Sequence, residues 1–279
     1  MSDWISSVKH TVLGERGFIG SALMRHLTSA KLDCQSASPS EFISNQIETD
    51  ILYYCIGLTS DFTKNTKRTL DSHVNLLLEV LQTRRFRRLV YLSSARVYMD
   101  SEKTSEDETI ALSSRATDNI YLLSKLLGES LVLSSESTNC RIVRLSNVVG
   151  PHQPPTTLLG SFLENSRQGK LVISESRISG RDYVALDDVV SLIIQIGVHS
   201  QSQIYNISSN QFVSHSEIAS YIRKYTGVDI FFSDNSKNPP RGNRVNNDKV
   251  RNEFGWKFQK IRPFLKNLIE GELQSNESL

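Results

Sequence analysis

Tyr121 and Lys125 stand four residues apart in an apolar pattern typical of a helix, so both side chains are expected on one face. A tyrosine with an ordinary pKa near 10 is a poor acid or base at neutral pH, and nearby positive charge, here expected from Lys125, favours its phenolate. Ser94 ends a predicted strand and offers a hydroxyl to the same reacting oxygen. These three residues are the predicted catalytic set for proton transfer.

A glycine-rich run follows a predicted strand directly and opens a predicted helix, with the sequence Gly14-Glu15-Arg16-Gly17-Phe18-Ile19-Gly20. Glycines let the backbone approach a pyrophosphate, and a helix N-terminus adds unpaired N–H groups and a positive dipole. A dinucleotide is therefore predicted to bind here. The predicted cofactor-binding residues are Gly14, Arg16, Gly17, Phe18, Ile19, Gly20, Ser38, Gly57, Tyr121 and Lys125.

The end of the second strand decides which dinucleotide is predicted. An Asp or Glu for the ribose hydroxyls of NAD is usual there, but this chain reads Ser36-Ala37-Ser38. Asp33 lies too early, inside the strand, whereas Arg16 in the glycine turn is well placed to meet a 2′-phosphate. NADP is therefore the predicted cofactor, with NAD as the alternative.

Apolar, strand-like runs at 11–13, 32–37, 51–56, 89–92 and 141–145 alternate with helical patterns over 19–27, 70–83 and 120–133. This alternation predicts an α/β fold, a Rossmann-type doubly wound parallel sheet whose ligand crevice lies at the carboxyl ends of the strands. Residues 1–150 are predicted to form the dinucleotide-binding domain. Prolines then interrupt the chain, and 151–180 with 207–279 are predicted to form a smaller C-terminal substrate-binding lobe. Residues 181–206 are expected to return to the main domain through a helix capped by Asp187 and Asp188.

Composition narrows the class of protein. With 279 residues, 38% of them hydrophobic, and a formal net charge of +2, the chain suits a globular enzyme and gives no reason to expect nucleic acid or a membrane as partner. Its three cysteines are far apart and predict reduced thiols in a cytoplasmic protein. Neither the cysteines nor the histidines show metal-ligand spacing, so no metal is predicted.

Taken together, these runs resemble the extended short-chain dehydrogenase/reductases, specifically the NAD-dependent epimerase/dehydratase group that modifies nucleotide sugars. The resemblance implies that Asn147, in Asn147-Val148-Val149-Gly150-Pro151, contacts the substrate together with Ser94. It also implies that Arg181, in Gly180-Arg181-Asp182-Tyr183-Val184, contacts nucleotide-sugar phosphates, an ion pair with Asp182 being the alternative. A homodimer is a possible assembly.

Departures from the family pattern narrow the expected reaction. Dehydratases of the group follow their catalytic threonine with Asp-Glu, where this chain has Ala95 and Arg96. The 3,5-epimerizing reductases carry a cysteine at the position of Arg96. The predicted function is therefore hydride transfer by a 4-ketoreductase or a 4-epimerase. A reductase of another carbonyl compound and a non-catalytic NADP-binding sensor are the alternatives.

Overall fold

The computed structural model describes residues 8–58, 64–99, 101–112, 119–135, 139–232 and 242–274. The strands are β1 (His10–Leu13), β2 (Cys34–Ala37), β3 (Thr49–Tyr54), β4 (Phe86–Ser94), β5 (Arg141–Leu145), β6 (Asn147–Val149), β7 (Lys170–Ile173), β8 (Gly180–Ala185), β9 (Ile204–Ile207), β10 (Phe212–Ser214) and β11 (Asp229–Phe232). The helices are α1 (Phe18–Ser29), α2 (Pro39–Ser44), α3 (Thr66–Leu70), α4 (Leu76–Thr83), α5 (Asn119–Ser134), α6 (Leu158–Arg167), α7 (Leu186–His199), α8 (His215–Thr226), α9 (Asp248–Phe254) and α10 (Ile261–Gln274).

Two short helical turns modify this pattern. A π-helical turn, Asp71–Asn75, joins α3 to α4 within the helix predicted over 70–83, and a 3-10 turn, Ala95–Tyr98, follows β4. None of the described helices is long and apolar enough to cross a membrane.

The main sheet is parallel and has the strand order β2-β1-β3-β4-β5-β9. This confirms the predicted α/β fold with a Rossmann-like sheet. The order reverses between β1 and β3, and open parallel sheets bind ligands in the crevice beyond such a reversal. The glycine turn after β1 and Gly57 after β3 both border that crevice.

Helices cover both faces of the main sheet, so its central strands are apolar almost throughout. One face packs against α1 and α7, with buried Leu23 and Ile193 in the same apolar cluster as Tyr53 of β3. The opposite face packs against α4 and α5, where Leu77 and Val132 share a cluster with other strand residues.

A second layer contains the sheet β10-β8-β6, in which β8 is antiparallel to β10 and parallel to β6, and the parallel pair β11-β7. Buried residues of α6, α8 and α10 form its apolar cluster. After β8, the chain returns through α7 to β9, which pairs with β5 in the main sheet. The exact division into two domains stays a prediction.

The predicted capping of α7 by two aspartates is wrong. Its N-cap is Ala185, which makes no side-chain cap, and Asp187 and Asp188 lie within the first turn. Asp188 instead accepts hydrogen bonds from Trp256 Nε1 at 3.3 Å and from the Gln259 backbone at 3.0 Å. Negative charge in the first turn still complements the helix dipole. Asp188 therefore anchors the segment after α9 to α7.

A buried carboxylate joins the second layer to the C-terminal segment. Asp182 of β8 accepts backbone hydrogen bonds from Ser209 at 3.2 Å and from Val245 at 3.1 Å. Its burial raises the pKa of this carboxyl to about 7, against the lowering effect of those hydrogen bonds. Asp182 thus holds three separate chain segments together.

An ion pair between Arg144 and Glu129 lies inside the main domain, with both side chains at most 5% exposed. Arg144 of β5 donates to Glu129 of α5 from Nε at 3.0 Å and from Nη2 at 2.7 Å. The Ser93 hydroxyl of β4 donates to the same carboxylate at 2.5 Å, and Arg144 donates to the Tyr98 hydroxyl at 2.6 Å. These bonds fix α5 against two neighbouring strands.

We expect Arg144→Met and Glu129→Met each to lower the free energy of unfolding by about 3–5 kcal/mol, because each leaves a buried charge without its partner. The double variant should lose less than the sum of the single losses. Urea unfolding measures all three. Arg251→Met is the matched control, since Arg251 is 57% exposed and should cost at most about 1 kcal/mol. Additive losses in the double variant would contradict the assignment.

Candidate functional site

Ser94, Tyr121 and Lys125 lie together at the carboxyl end of β4. Ser94 is the last residue of that strand, and its hydroxyl is hydrogen-bonded to the Tyr121 side chain. The Ser94 Oγ also accepts from the Arg96 backbone N–H at 3.2 Å, which begins the 3-10 turn. All three predicted side chains are buried, at 9%, 4% and 4% exposure respectively. The structure therefore brings them into one water-poor cluster.

The electrostatics of Tyr121 differ from the sequence expectation. Burial raises the pKa of its phenol, whereas the hydrogen bond with Ser94 and the charge of Arg96 lower it. The Arg96 guanidinium carbon lies 5.2 Å from the Tyr121 ring centroid. Sequence reasoning assigned the activating charge to Lys125 and treated Arg96 only as a departure from a family pattern. Arg96 is thus a candidate site residue that the sequence analysis missed.

Lys125 lies one helical turn after Tyr121 on α5 and is held by contacts with β4. Its Nζ donates to the Leu92 carbonyl at 2.9 Å and lies 5.1 Å from the Tyr91 ring centroid. Burial lowers the pKa of Lys125 to about 8, while the charge of Glu129 opposes that shift. Glu129, one helical turn further along α5, therefore favours a charged lysine in the site.

The glycine turn has the close contacts that a dinucleotide cradle requires. Gly14 has φ +89°, in the region that favours glycine, and the Gly17 N–H donates to the Gly14 carbonyl at 3.0 Å. A Cβ on Gly20 would overlap the Gly14 carbonyl oxygen. Phe18 and Ile19 are the first residues of α1, whose N-terminal N–H groups follow the turn. These residues fit a pyrophosphate.

His73 is a second residue that the sequence analysis missed. It lies in the π-helical turn, is fully buried and contacts the Tyr121 ring edge-on at 5.5 Å between centroids. Its Nε2 accepts from the Leu58 N–H at 3.1 Å, and its Nδ1 lies 2.8 Å from the Ser124 hydroxyl. A Cβ on Gly57 would come within 3.2 Å of the same ring. His73 therefore joins the loop after β3 to α5.

The hydrogen bonds also define the state of this imidazole. Ser124 donates its hydroxyl proton to the Tyr121 carbonyl at 2.8 Å, so it accepts from Nδ1 of His73. Burial, with a further contribution from Lys125, lowers the pKa of His73 to about 2. The ring is therefore neutral with its proton on Nδ1. A polar residue in the middle of an apolar helical pattern was the available sequence signal.

At the end of β2, the structure contains an acid that the sequence analysis missed. Ser38 caps α2, and Glu41 reaches back to the Ser38 N–H at 2.8 Å and to its hydroxyl at 2.7 Å. The hydrogen bond from the Ser38 backbone N–H is the main cause of the lowered pKa of Glu41, and the positive charge of Arg16 lowers this pKa further. Arg16 itself is 96% exposed and pairs with Glu15 at 3.5 Å. The Ser-x-x-Glu spacing of a capping box was the signal.

The predicted substrate residues lie on adjacent strands of the second layer. Asn147 of β6 donates its amide to the Asp182 carbonyl of β8 at 3.2 Å. Arg181 forms an ion pair with Glu175 at 2.6 Å, not with Asp182 as the alternative proposed. Asp182 is turned inward to the backbone bonds described above. Arg181 is therefore partly neutralised by a carboxylate that the sequence analysis did not consider.

Comparisons with known proteins identify the family of this chain. The family model for the NAD dependent epimerase/dehydratase family matches residues 33–208. A UDP-glucose 4-epimerase from Lactobacillus helveticus is 23% identical over 309 residues, covering 90% of this chain and 92% of the relative. Among solved structures, MoeE5 in complex with UDP-glucose and NAD has a TM-score of 0.82 at 18% identity, covering 96% of this chain and 99% of that one. RMD from Pseudomonas aeruginosa complexed with NADPH has a TM-score of 0.78 at 22% identity, covering 96% and 99%.

The family model spans more than half of the chain, so the chain belongs to the NAD dependent epimerase/dehydratase family. It is accordingly an enzyme of the extended short-chain dehydrogenase/reductases, as the sequence resemblance predicted. The roles of individual side chains remain predictions, which the following experiments test.

We expect His73→Phe to keep the ring contact with Tyr121 but to leave the part-buried Leu58 N–H without its acceptor, while the Ser124 hydroxyl keeps its bond to the Tyr121 carbonyl. The loss should be at most the about 1–3 kcal/mol that an unsatisfied buried donor costs, which urea unfolding measures. Hydrogen exchange at the Leu58 amide should accelerate as well. Replacing the exposed His26 by Phe provides the control. Unchanged protection of the Leu58 amide would show that His73 does not hold this loop.

Proposed function

We propose that this enzyme is an NAD(P)-dependent oxidoreductase that acts on a nucleotide sugar, as a 4-ketoreductase or a 4-epimerase. The observation that carries the proposal is the hydrogen bond between the buried Ser94 and Tyr121 side chains. On the helix of Tyr121, the Lys125 Nζ lies 3.3 Å from where a Cβ on Gly57 would stand. A proton-transfer set next to a dinucleotide cradle is the arrangement that hydride chemistry at an alcohol or ketone requires. The family membership supports the same reaction class.

Each residue has a distinct proposed role. When bound, the nicotinamide dinucleotide supplies hydride transfer to or from the sugar carbon. Tyr121 exchanges a proton with the oxygen on that carbon, and Ser94 donates a hydrogen bond that orients this oxygen. Lys125 and Arg96 favour the phenolate, because positive charge near the ring stabilises it. Burial of the set excludes water and so strengthens these interactions.

The outcome of hydride transfer depends on residues beside the tyrosine. Ala95 and Arg96 stand where dehydratases of the group carry Asp-Glu, so elimination of water has no acid–base pair at these positions. Ketoreduction and epimerisation at C4 need only Ser94, Tyr121 and Lys125. Turnover of a 4-keto sugar nucleotide with stoichiometric NADPH would identify a reductase. Interconversion of two 4-hydroxy sugars without net cofactor consumption would identify an epimerase.

The strands of the second layer are the proposed source of substrate contacts. Asn147 and Arg181 are proposed to contact the nucleotide sugar from β6 and β8. A reductase of a non-nucleotide carbonyl remains the second enzyme candidate and is favoured if no nucleoside diphosphate binds. The sensor alternative is opposed by the presence of the whole proton-transfer set.

A cytoplasmic location and a homodimer stay predictions. The homodimer is consistent with two apolar side chains that α5 exposes, Leu123 at 50% and Leu127 at 48%.

For the cofactor, we propose NADP, with NAD as the alternative. Arg16 supports the proposal because its exposed guanidinium borders the glycine turn and suits a phosphate. Glu41 opposes it, because a carboxylate at the end of β2 repels a 2′-phosphate and accepts from ribose hydroxyls instead. The balance between these two charges determines the preference.

Arg16→Ala is expected to weaken NADPH binding by about 10- to 150-fold, since it removes a charge-assisted hydrogen bond of about 1.5–3 kcal/mol. NADH affinity should hardly change. Glu41→Gln should shift the preference further toward NADPH. Calorimetric titration of both cofactors measures these effects, and Arg25→Ala, at another exposed position of α1, is the control. Equal affinity of the unmodified enzyme for both dinucleotides would contradict the proposal.

Tyr121→Phe is expected to lower kcat by about 10²–10⁴-fold, the usual contribution of a general acid or base. Dinucleotide affinity should stay close to that of the unmodified enzyme, because only one hydroxyl is lost. The assay follows nicotinamide absorbance with 4-keto and 4-hydroxy sugar nucleotides. Tyr221→Phe, on α8 and hydrogen-bonded to Glu217, is the matched control. Near-normal kcat in Tyr121→Phe would remove this residue from the mechanism.

A further inference from the structure

The ion pair between Glu175 and Arg181 engages the side chain that is proposed to contact the substrate phosphates. Glu175 lies in the turn between β7 and β8, and its Oε1 accepts from Nη2 of Arg181 at 2.6 Å. The two side chains are 27% and 24% exposed, so a ligand from solvent can reach both. A diphosphate bound to Arg181 would meet the carboxylate at close range, and like charges so placed repel each other. The carboxylate and a diphosphate therefore compete for one guanidinium.

The second oxygen of Glu175 points to a different partner. This Oε2 is buried and has no hydrogen-bond partner among the described residues. Buried polar atoms without a partner are rare and costly in folded proteins, so each one requires an explanation. A carboxylate oxygen only accepts hydrogen bonds, and the missing partner must therefore be a donor.

Two buried side chains in the same cluster have donors without acceptors. The Tyr183 hydroxyl and both ring nitrogens of the fully buried His215 lack hydrogen-bond partners in the part of the chain that the structure describes. Burial lowers the pKa of His215 to about 4, so the neutral ring has one N–H to donate. Beyond the effect of burial, the charge of Glu175 raises the pKa of both His215 and Tyr183, which indicates that the three side chains lie near one another. An acceptor without a donor thus stands beside donors without an acceptor.

The backbone around Glu175 is held in place, so an exchange of partners needs only a side-chain movement. The Ser179 N–H donates to the Ser176 carbonyl at 3.1 Å and closes the turn. The His215 N–H donates to the Ser179 carbonyl at 2.7 Å and ties this turn to the start of α8. Rotation of the Glu175 side chain about its own bonds is therefore the movement that would bring its carboxylate to new donors.

We propose that Glu175 competes with the substrate diphosphate for Arg181 and turns to His215 and Tyr183 when the diphosphate binds. The inference rests on the proposed function, in which Arg181 contacts the nucleotide sugar. Without ligand, the carboxylate compensates the arginine charge. With ligand, the phosphate oxygens take over the guanidinium, and the two buried donors receive the displaced carboxylate. Glu175 thereby sets the affinity for the nucleotide sugar, because apparent affinity falls with the fraction of enzyme that is competent to bind.

The first test is a calorimetric titration of UDP, dTDP, GDP and CDP against the full chain with saturating NADP. The nucleotide that binds the unmodified enzyme most tightly serves as the probe. Glu175→Gln should bind this probe about 3- to 10-fold more tightly, because the competing charge is gone and more of the enzyme is competent to bind. Its amide oxygen can still accept from Arg181, so the turn keeps its contact. A merely structural role of Glu175 would instead weaken binding.

The second test is Tyr183→Phe, which removes only a hydroxyl. Because this hydroxyl has no partner among the described residues, its loss should leave the free energy of unfolding unchanged or raise it. Probe binding should nevertheless weaken by about 2- to 10-fold, the value of one hydrogen bond, since the displaced carboxylate loses a donor. Urea unfolding and the same titration measure the two effects.

Glu217→Gln is the matched control, because Glu217 is 25% exposed and pairs with Arg262 at 2.8 Å, and it should leave probe affinity unchanged. NADP affinity measured on each variant verifies that it is folded. Probe binding to Glu175→Gln that is no tighter than to the unmodified enzyme overturns the competition. Unchanged probe affinity in Tyr183→Phe overturns the movement toward the buried donors. Both results leave the proposed function standing, whereas failure of all four nucleotides to bind the unmodified enzyme overturns that function and this inference with it.

Discussion

The carboxylate of Glu129 compensates two buried cations, and the position of the candidate catalytic helix depends on it. Arg144 binds it directly, and Lys125 lies one turn away on the same helix face. A buried charge is tolerated only when it is paired and hydrogen-bonded. The ion pair therefore fixes both the position of α5 along its axis and its rotation about that axis, relative to β4 and β5. With Glu129 fixed, the four-residue spacing of α5 brings Tyr121 to the end of β4, where it meets Ser94.

A second constraint is the close approach of backbones where the strand order reverses. Gly20 has no room for a side chain because the Gly14 carbonyl lies against it, and Gly57 lies beside His73 and Lys125. The α1 N-terminus and the loop after β3 consequently border the same crevice as the buried Ser94–Tyr121 pair. His73 connects these parts, because its two nitrogens bond to Leu58 and Ser124. His73 thus connects the loop after β3 to the helix that carries Tyr121 and Lys125.

Family membership and specificity depend on different parts of the molecule. The main sheet carries the fold shared with solved epimerases and dehydratases, and the glycine turn with Ser94, Tyr121 and Lys125 is proposed to carry the hydride chemistry. Arg96, Glu41 and Glu175 are charged side chains placed around that shared frame, where they contact the Tyr121 ring, the Ser38 backbone and Arg181 respectively. A fold of this kind supports several reactions, so the particular chemistry is decided at such positions.

The amino-acid sequence by itself determined the fold class, the glycine turn and the order of the candidate catalytic residues. These features depend on local periodicity and on spacing along the chain, which short-range geometry specifies. Only the tertiary structure decided which charges meet. Arg181 pairs with Glu175 and not with its neighbour Asp182, because strand residues alternate sides and Asp182 points inward to Ser209 and Val245. The contacts of His73 and Arg144 likewise join residues far apart in sequence, and no local pattern encodes such partners.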